Sequence, residues 1–513
     1  MDNYSLVNAN QYAQIPICER VTMTELVGDF TLPDYQPEIK RLLWVCANVL
    51  PPSKYLGDSK AEFAGNIDYF VYYTGSDNEI YCAPLSEEYK IEVPIEKGSE
   101  WQVSNLTGNA YVVCDLVSGR VTSPRKLNVK CRLKSYARIF GDAATNRGFE
   151  DSNSDNEVLT CVSPLSRTLF ASSDMVRFSD EMIIDNQSGE VRVVCADGRA
   201  LISEVSCTEG QVSCRGDVYL KMLMSHEQGG APTVVTRKIP FLQGIEVEGV
   251  GGKCQATASA TVCEMNIDVE ESRIAIDLGM LIDVTAHKNE RVSYVKDVYS
   301  TVYKTEGEYS TLPVQLCGAA MCTNFTLSDS MTLEEAGMPR GCSVIDSSGV
   351  AVTEKVQYDA DGRMTMSGKA KFNLLTQKDG EYAAYDIELP FKYSAITPIT
   401  DGAHAMGEPM TYVVSTRHRV DGERVGIDAE IYVSGCMSQS GDISVLDKVN
   451  FGDEIERTRG GYVICYPSGS DSLWSVAKRY GKAVSDISER NGISNEHAYD
   501  SSESLKGNGY LII

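Results

Sequence analysis

A threefold internal repeat constrains the fold of this chain more than any other feature of its sequence. Three segments that begin with glycine open the pattern, and they lie at residues 65–72, 216–222 and 368–374. Alternating segments follow at residues 89–93, 237–241 and 387–391, and long alternating segments close each unit at residues 125–131, 273–278 and 424–431. Because three features recur in the same order with a period of about 150 residues, the sequence predicts three copies of one unit.

Inside each unit, apolar and polar residues alternate with a period of two. Valine, isoleucine, tyrosine and threonine are abundant, and turn-forming segments such as residues 75–78 separate the runs. This pattern is typical of antiparallel strands that bury one face. We therefore expect a mainly β chain with three tandem antiparallel β-sandwich-like modules. The expected boundaries are residues 1–145, 158–288 and 289–437, with a linker at residues 438–461.

Helix is expected at few places before the C-terminal segment. Residues 37–44 begin with a proline at an N1-like position and place Ile39, Leu42 and Leu43 on one side, which favours a short helix. Residues 333–338 form a weaker helical pattern.

The acidic composition limits the kind of partner that this chain binds. Its 513 residues are too many for one hydrophobic core, and its 42% hydrophobic content is typical of a folded protein. A net charge of −25 repels phosphate backbones and anionic lipid. The composition therefore argues against nucleic acid or a bare membrane surface as the main partner, and it favours a basic protein surface.

The cysteine pattern indicates reduced thiols. The sixteen cysteines include no C-x-x-C pair, and many lie within apolar strand-like runs. Residues 1–20 lack the apolar core of a secretory signal, and no run has the length of a transmembrane helix. We expect small buried cysteines, a cytosolic protein and no transmembrane segment.

Known catalytic motifs are missing from the sequence. The five histidines are far apart and share no metal-ligand spacing, and no G-x-S-x-G motif is present. Acidic residues are plentiful, but they alternate with apolar residues as they do on the wet face of a sheet. We therefore predict a protein without catalytic residues, metal ligands or cofactors.

The last fifty residues carry a different pattern. Residues 462–466 form a β-rich run, and a break at residues 467–469 precedes an amphipathic segment with Leu473, Val476, Ala477 and Tyr480 at helical spacing. A second short helix is expected to end at Asn491-Gly492, and residues 510–513 form a final strand. The order strand, helix, helix, strand predicts a small α+β (βααβ) domain over residues 462–513.

This segment resembles a LysM domain. The resemblance rests on the sequences at residues 470–477, 480–481, 486–487 and 491–492, between two aliphatic strands. It implies a βααβ fold that binds N-acetylglucosamine polymers in a groove between the loop after the first strand and the loop before the last. The candidate residues for binding a protein partner or a glycan are Ile464, Ser470, Asp471, Ser472, Trp474, Asn491, Ile493 and Ser494.

Two of these residues have alternative interpretations. In so small a domain Ile464 also fits a place in the core. Trp474 lies beside the buried stripe, so it is either part of the core or a half-exposed anchor for a partner.

The start of the first unit resembles the SPOCS domain of sporulation proteins. The resemblance rests on Leu-Pro-x-x-x-Pro at residues 32–37 together with the repeat pattern. SPOCS-like units followed by one LysM domain resemble the spore-coat morphogenetic proteins of clostridia. This resemblance implies a mother-cell protein at the forespore surface, whose LysM domain binds a SpoIVA-like coat ATPase. The expected function is a non-enzymatic scaffold or adaptor in spore-coat assembly, and the alternative is a peptidoglycan-binding protein.

Overall fold

The computed structural model describes residues 11–95, 103–145, 155–183, 191–226, 231–270, 273–359, 361, 363–396, 403–405, 409–456, 462–493, 500–505 and 509–513. Within these residues, twenty-three strands and two α-helices are present, and all of the strands lie in antiparallel sheets. The prediction of a mainly β chain is therefore confirmed.

Unit 1 comprises the described residues from 11 to 145 and forms two sheets. Its strands are β1 (Tyr12–Thr31), β2 (Arg41–Val49), β3 (Ser53–Leu56), β4 (Lys60–Thr74), β5 (Ile80–Pro94), β6 (Val103–Ser123) and β7 (Lys126–Ala144). One sheet has the order β1-β7-β6, and in the other β4 pairs with β2, β3 and β5. Side chains from both sheets, including Phe63, Tyr69 and Leu133, are buried in one shared core.

Unit 2 comprises the described residues from 155 to 300, and unit 3 those from 303 to 454. The strands of unit 2 are β8 (Asn156–Ser172), β9 (Val176–Ile183), β10 (Val191–Thr208), β11 (Gln211–His226), β12 (Thr233–Glu246), β13 (Gln255–Glu270) and β14 (Arg273–Ser300). The strands of unit 3 are β15 (Tyr303–Thr332), β16 (Ser343–Tyr358), β17 (Arg363–Lys378), β18 (Glu381–Ile396), β19 (Ala403–Ala405), β20 (Met410–Asp421) and β21 (Arg424–Glu454).

The three units share one strand topology. In each unit the first strand pairs with the last strand, which also pairs with the long strand before it: β7 lies between β1 and β6, β14 contacts β8, β9 and β13, and β21 contacts β15, β19 and β20. The middle strands form a separate antiparallel sheet, β10-β11-β12 in unit 2 and β16-β17-β18 in unit 3. Leu127, Ile274 and Val425 occupy the same position of the last strand, and all three are buried.

The recurrent glycines have a common physical cause. Gly65, Gly216 and Gly368 each pair across the sheet with an aromatic residue, which is Tyr89, Phe241 or Phe391. A Cβ atom at these glycines would approach the aromatic ring to 2.9, 2.7 and 2.8 Å respectively. The ring thus covers the glycine backbone, and a side chain there would displace it.

The three units close into a ring. Strand β5 contacts β10, β12 contacts β16, and β18 contacts β2, so each unit meets the next through equivalent strands. Trp44, Leu223 and Leu375 come from the three middle sheets and pack in one cluster. Ile15, Leu165 and Leu312, from the three first strands, are buried in a second cluster. Equivalent elements of all three units therefore meet around a common centre.

Two helix predictions are wrong. In residues 37–44 the backbone N–H of Ile39 bonds to the Pro124 carbonyl and that of Lys40 to the Thr74 carbonyl, and β2 begins at Arg41. Pairing of eight residues of β2 with β4 outweighs the local helical pattern. Residues 333–337 form turns, which Thr332 and Glu335 close with reciprocal hydrogen bonds.

The strands extend beyond two of the expected boundaries. Residues 289–300 continue β14 and pair with β8, so they belong to unit 2 and not to the third module. Residues 438–454 continue β21 and pair with β15, where a linker was expected. In both places residues outside the expected module lie on long paired strands, whose side chains alternate between the two faces of the sheet.

The C-terminal segment follows the expected order of elements. It contains β22 (Ile464–Cys465), α1 (Leu473–Tyr480), α2 (Val484–Asn491), a 3-10 helix (Ser502–Leu505) and β23 (Leu511–Ile512). Strands β22 and β23 pair in antiparallel fashion, and Leu473, Val476 and Leu511 are buried between them and the helices. Neither helix of the described chain is long and apolar enough to cross a membrane.

Candidate functional site

Three of the residues implied by the LysM resemblance, Asp471, Ser472 and Asn491, hold the C-terminal segment together through hydrogen bonds. Ser472 caps α1, because its hydroxyl accepts a hydrogen bond from the Ser475 backbone N–H at 3.1 Å. The Asn491 side chain donates to the carbonyls of Ile487 and Ile512 at 2.8 and 2.9 Å, and it accepts from the Ile512 N–H at 2.7 Å. These polar groups therefore fix the end of α2 to the final strand.

Asp471 is also engaged within the segment. Its carboxylate accepts a hydrogen bond from the Ser468 backbone N–H at 2.9 Å and another from the Arg479 guanidinium. The Ser468 N–H and then Arg479 hold the pKa of Asp471 below its ordinary value. The neighbouring Ser470 is exposed. Asp471 thus stabilises the turn before α1 as an ionised carboxylate.

Two of the remaining predicted site residues, Ile493 and Ile464, differ in exposure. Ile493 is half-buried against the core of the segment, whereas Ile464 is 56% exposed. Ser494 lies outside the described residues. The structure therefore brings Ser472, Asn491 and Ile493 into the framework of the segment and leaves Ser470 and Ile464 on its surface.

Trp474 forms the centre of a joint between the C-terminal segment and unit 2. Its side chain is only 6% exposed, and its ring packs edge-on against Tyr299 with the centroids 4.9 Å apart. Its indole N–H donates to the Asp297 carboxylate at 2.8 Å. Leu159 of β8 joins the same buried cluster. Trp474 is therefore part of a buried core that the segment shares with unit 2, and it is not a half-exposed anchor for a partner.

Asp297 is the electrostatic centre of this joint. Besides the indole of Trp474, it accepts hydrogen bonds from the Lys478 ammonium at 2.7 and 2.8 Å and from the Tyr309 hydroxyl at 2.6 Å. Burial alone would raise the pKa of Asp297, but the bonds from Lys478, Tyr309 and Trp474 lower it below its ordinary value. The Tyr299 hydroxyl adds a bond of 2.7 Å to the Lys482 carbonyl. The segment is therefore fixed to the ring by polar and apolar contacts together.

The outer face of the β22–β23 ribbon is apolar and open to solvent. Ile464 lies opposite Ile512 and Cys465 opposite Leu511, and Tyr466 and Tyr510 are the residues next to this second pair. Tyr462, Tyr466 and Tyr510 are 81%, 76% and 56% exposed. We call Tyr462, Ile464, Tyr466 and Tyr510 the tyrosine face. Sequence reasoning missed its three tyrosines, although their alternation with the buried Cys465 and Leu511 carries the signal.

A cavity at the centre of the ring is the second candidate site. It has a volume of about 260 Å³ and is lined mainly by β2, β6, β10, β13, β16 and β20, which are equivalent strands of the three units, with further residues from β4 and β11. Its charged groups are paired: Lys221 bonds to the Asp346 carboxylate at 2.9 Å, and Arg199 bonds to Asp197 at 3.1 Å. Arg199 also donates to the carbonyls of Gly349 and Val413. These charges join unit 2 to unit 3.

Over the described residues, no group of three or more histidine, cysteine, aspartate or glutamate side chains is arranged to hold a metal ion. The sixteen cysteines are free thiols. Comparisons of the chain with family models, with curated proteins and with solved structures find no match.

Proposed function

We propose that this chain is a non-enzymatic scaffold of spore-coat assembly. In this proposal the three units are tandem SPOCS-like sandwich modules, and residues 462–513 are a LysM domain that recognises the partner. The protein would act in the mother-cell cytoplasm at the forespore surface. The shared topology of the units and the strand, helix, helix, strand order of the tail support this assignment.

The tyrosine face is the observation that carries the proposal. Tyrosine is enriched at protein interfaces because its ring buries a large area while its hydroxyl keeps a hydrogen-bonding group. Three exposed tyrosines and one isoleucine on a two-stranded ribbon form a contiguous apolar surface, which marks a site of interaction in a soluble domain.

The joint at Trp474 gives this surface a fixed orientation. The bonds of Asp297 to Trp474 and Lys478 hold the tail against unit 2, so the tyrosine face is presented at a defined position on the ring. A surface that is already oriented loses less entropy on binding than one on a flexible tether. This arrangement suits an adaptor that positions one protein relative to another.

A SpoIVA-like coat ATPase is the partner that we propose. The net charge of −25 favours a partner with a basic surface around the apolar contact. The second candidate ligand is an N-acetylglucosamine polymer such as peptidoglycan. The same tyrosine face supports this second ligand, because exposed aromatic rings can pack against the apolar faces of sugar rings.

Co-sedimentation of the full chain separates the two ligands. The chain is mixed either with purified cell-wall sacculi or with the purified coat ATPase in its polymerised form, and the bound fraction is measured. We expect saturable binding to the ATPase and none to sacculi. Binding to sacculi without binding to the ATPase would refute the scaffold proposal in favour of the second candidate.

A further inference from the structure

The outer face of the β1-β7-β6 sheet of unit 1 is both apolar and basic. Val21, Met23 and Val27 on β1 are each more than half exposed, and Leu116 on β6 is 43% exposed. Cross-strand pairing places Val27 beside Lys130, Met23 beside Lys134 and Leu116 beside Arg132. Directly paired residues point to the same side of a sheet. We call this surface the unit 1 face.

The unit 1 face is basic although the chain as a whole is acidic. Its basic residues are Arg120, Lys126, Lys130, Arg132 and Lys134, and its acidic residues are Glu25, Asp29 and Asp115. Of these charges, Arg132 is bonded to Asp115, and Asp29 accepts a bond from Asn128.

Units 2 and 3 provide an internal comparison for this surface. The position of Val27 and Lys130 is occupied by Ser179 and Asp277 in unit 2, and by Ser328 and Asp428 in unit 3. In both units the serine hydroxyl donates a hydrogen bond to the aspartate. The fold therefore accommodates a polar pair at this position. Folding alone does not explain why unit 1 has an apolar residue paired with a basic one.

The corresponding face of unit 2 has the opposite charge. Asp277 occupies the position of Lys130, Asp268 that of Arg120, and Glu264 that of Leu116. Glu181 and Glu270 add two further carboxylates. The two basic residues, Arg177 and Arg273, are already paired with acidic neighbours on the same face. We call this surface the unit 2 face.

We propose that the unit 1 face of one copy of this chain binds the unit 2 face of a second copy. Lysines and arginines would then meet aspartates and glutamates at equivalent positions of two sheets with the same strand arrangement. The contact uses different surfaces of the two copies, so it leaves one of each free and extends head to tail. The chain would thus form open oligomers, independently of what the tyrosine face binds.

The size of the face sets the strength of the contact. Three strands about 4.8 Å apart and about eleven residues of 3.3 Å each give a face of roughly 500 Å² on each copy. This is less than the roughly 800 Å² per partner of a standard stable interface. We therefore expect association at micromolar concentrations that weakens when salt screens the charges.

Analytical ultracentrifugation of the full chain tests the proposal. The test variant is Val27→Ser/Lys130→Asp, which installs in unit 1 the pair that units 2 and 3 carry and so preserves the fold. The matched control is Lys448→Asp, which changes the net charge equally at an exposed position of unit 3. Circular dichroism and thermal unfolding verify that both variants are folded.

The expected results are specific to the two faces. The weight-average mass of the wild type and of Lys448→Asp should rise with concentration in 50 mM salt and fall in 500 mM salt (about a tenfold change in dissociation constant). The test variant should associate at least about tenfold more weakly. Adding Asp277→Lys to the test variant should restore association, because the charges are then exchanged between the faces.

Two results would overturn the proposal. One is a test variant that associates as well as the wild type does. The other is a monomeric wild type that binds vesicles of phosphatidylserine and phosphatidylcholine while the test variant does not. In that case the unit 1 face would be a membrane-binding surface.

Discussion

Replacing Asp297 with alanine should weaken the docking of the C-terminal segment on the ring without unfolding the ring. The carboxylate accepts hydrogen bonds from the Trp474 indole, the Lys478 ammonium and the Tyr309 hydroxyl. A hydrogen bond to a charged group contributes about 1.5–3 kcal/mol. The pair with Lys478 contributes at the low end, since that side chain is 39% exposed and solvent screens it.

Loss of all three bonds should lower the free energy of docking by about 3 kcal/mol. The loss is less than the sum of the separate bonds, because the three donors can bond to water once the joint opens. At 25 °C this shifts the equilibrium between docked and released segment by on the order of 100-fold. The apolar contacts of Trp474 with Tyr299 and Leu159 remain, so the docked state persists with faster opening.

Hydrogen–deuterium exchange of the full chain measures this opening. Peptides that cover residues 473–480 and 297–300 should exchange faster in Asp297→Ala, while peptides of β4 and β11 keep their protection. The control is Asp500→Ala, which removes one partly exposed ion pair with Lys296. It should change the free energy of opening, as measured by exchange, by less than about 1 kcal/mol. Equal exchange of residues 473–480 in Asp297→Ala and in the wild type would refute the assigned joint.

Three further predictions concern pH and the strand framework. The pKa of Asp297 is lowered, so docking of the C-terminal segment should be complete above a pH of about 4 and should weaken as the pH falls through the lowered pKa. Loss of docking already at pH 6, measured by hydrogen–deuterium exchange, would contradict this prediction. Burial and then the charge of Arg138 lower the pKa of His287 to about 4, so the free energy of unfolding should fall by about 3 kcal/mol between pH 6.5 and pH 4. The fall should be smaller in His287→Gln. An equal fall in both proteins would exclude His287 as the cause. Gly216→Ala should lower the free energy of unfolding by about 1–3 kcal/mol, because the added Cβ would meet the Leu201 carbonyl as well as an aromatic ring. Gly65→Ala should lower it less. A larger loss in Gly65→Ala than in Gly216→Ala, measured by urea titration, would contradict this account of the packing.

The sequence predicts the parts of the fold that depend on local pattern. The period-two alternation and the recurrent Gly65, Gly216 and Gly368 indicate three strand-rich units, because a glycine under an aromatic residue is a local requirement of each sheet. The helical spacing from Leu473 to Tyr480 likewise predicts α1.

Features that depend on distant partners could not be predicted in this way. The apolar spacing of residues 37–44 suits a helix, but β4 pairs with residues 41–49 and imposes a strand. The ring closes through contacts such as that of the Asn78 side chain with the Gly380 carbonyl, 302 residues apart. No periodicity carries such information.

The candidate site shows the same division. The cap at Ser472 is visible in the sequence because it satisfies N–H groups three residues away. The partner of Trp474 is Asp297, 177 residues earlier in the chain, so the choice between core and contact could not be made from the sequence. The exposure of Tyr462 and Tyr466 also depends on which face of the ribbon the helices cover.

The most direct test of the proposed function is the affinity of the full chain for the purified coat ATPase with and without the tyrosine face. The variant is Tyr462→Ser/Tyr466→Ser/Tyr510→Ser, and the control is Tyr35→Ser/Tyr55→Ser, which removes two exposed tyrosines from unit 1. Buried aromatic contacts at an interface contribute about 2 kcal/mol each, so the triple variant should bind at least about 100-fold more weakly while the control binds as the wild type does. Equal affinity of the triple variant and the wild type, with both folded, would contradict the proposal that the tail binds its partner through this face.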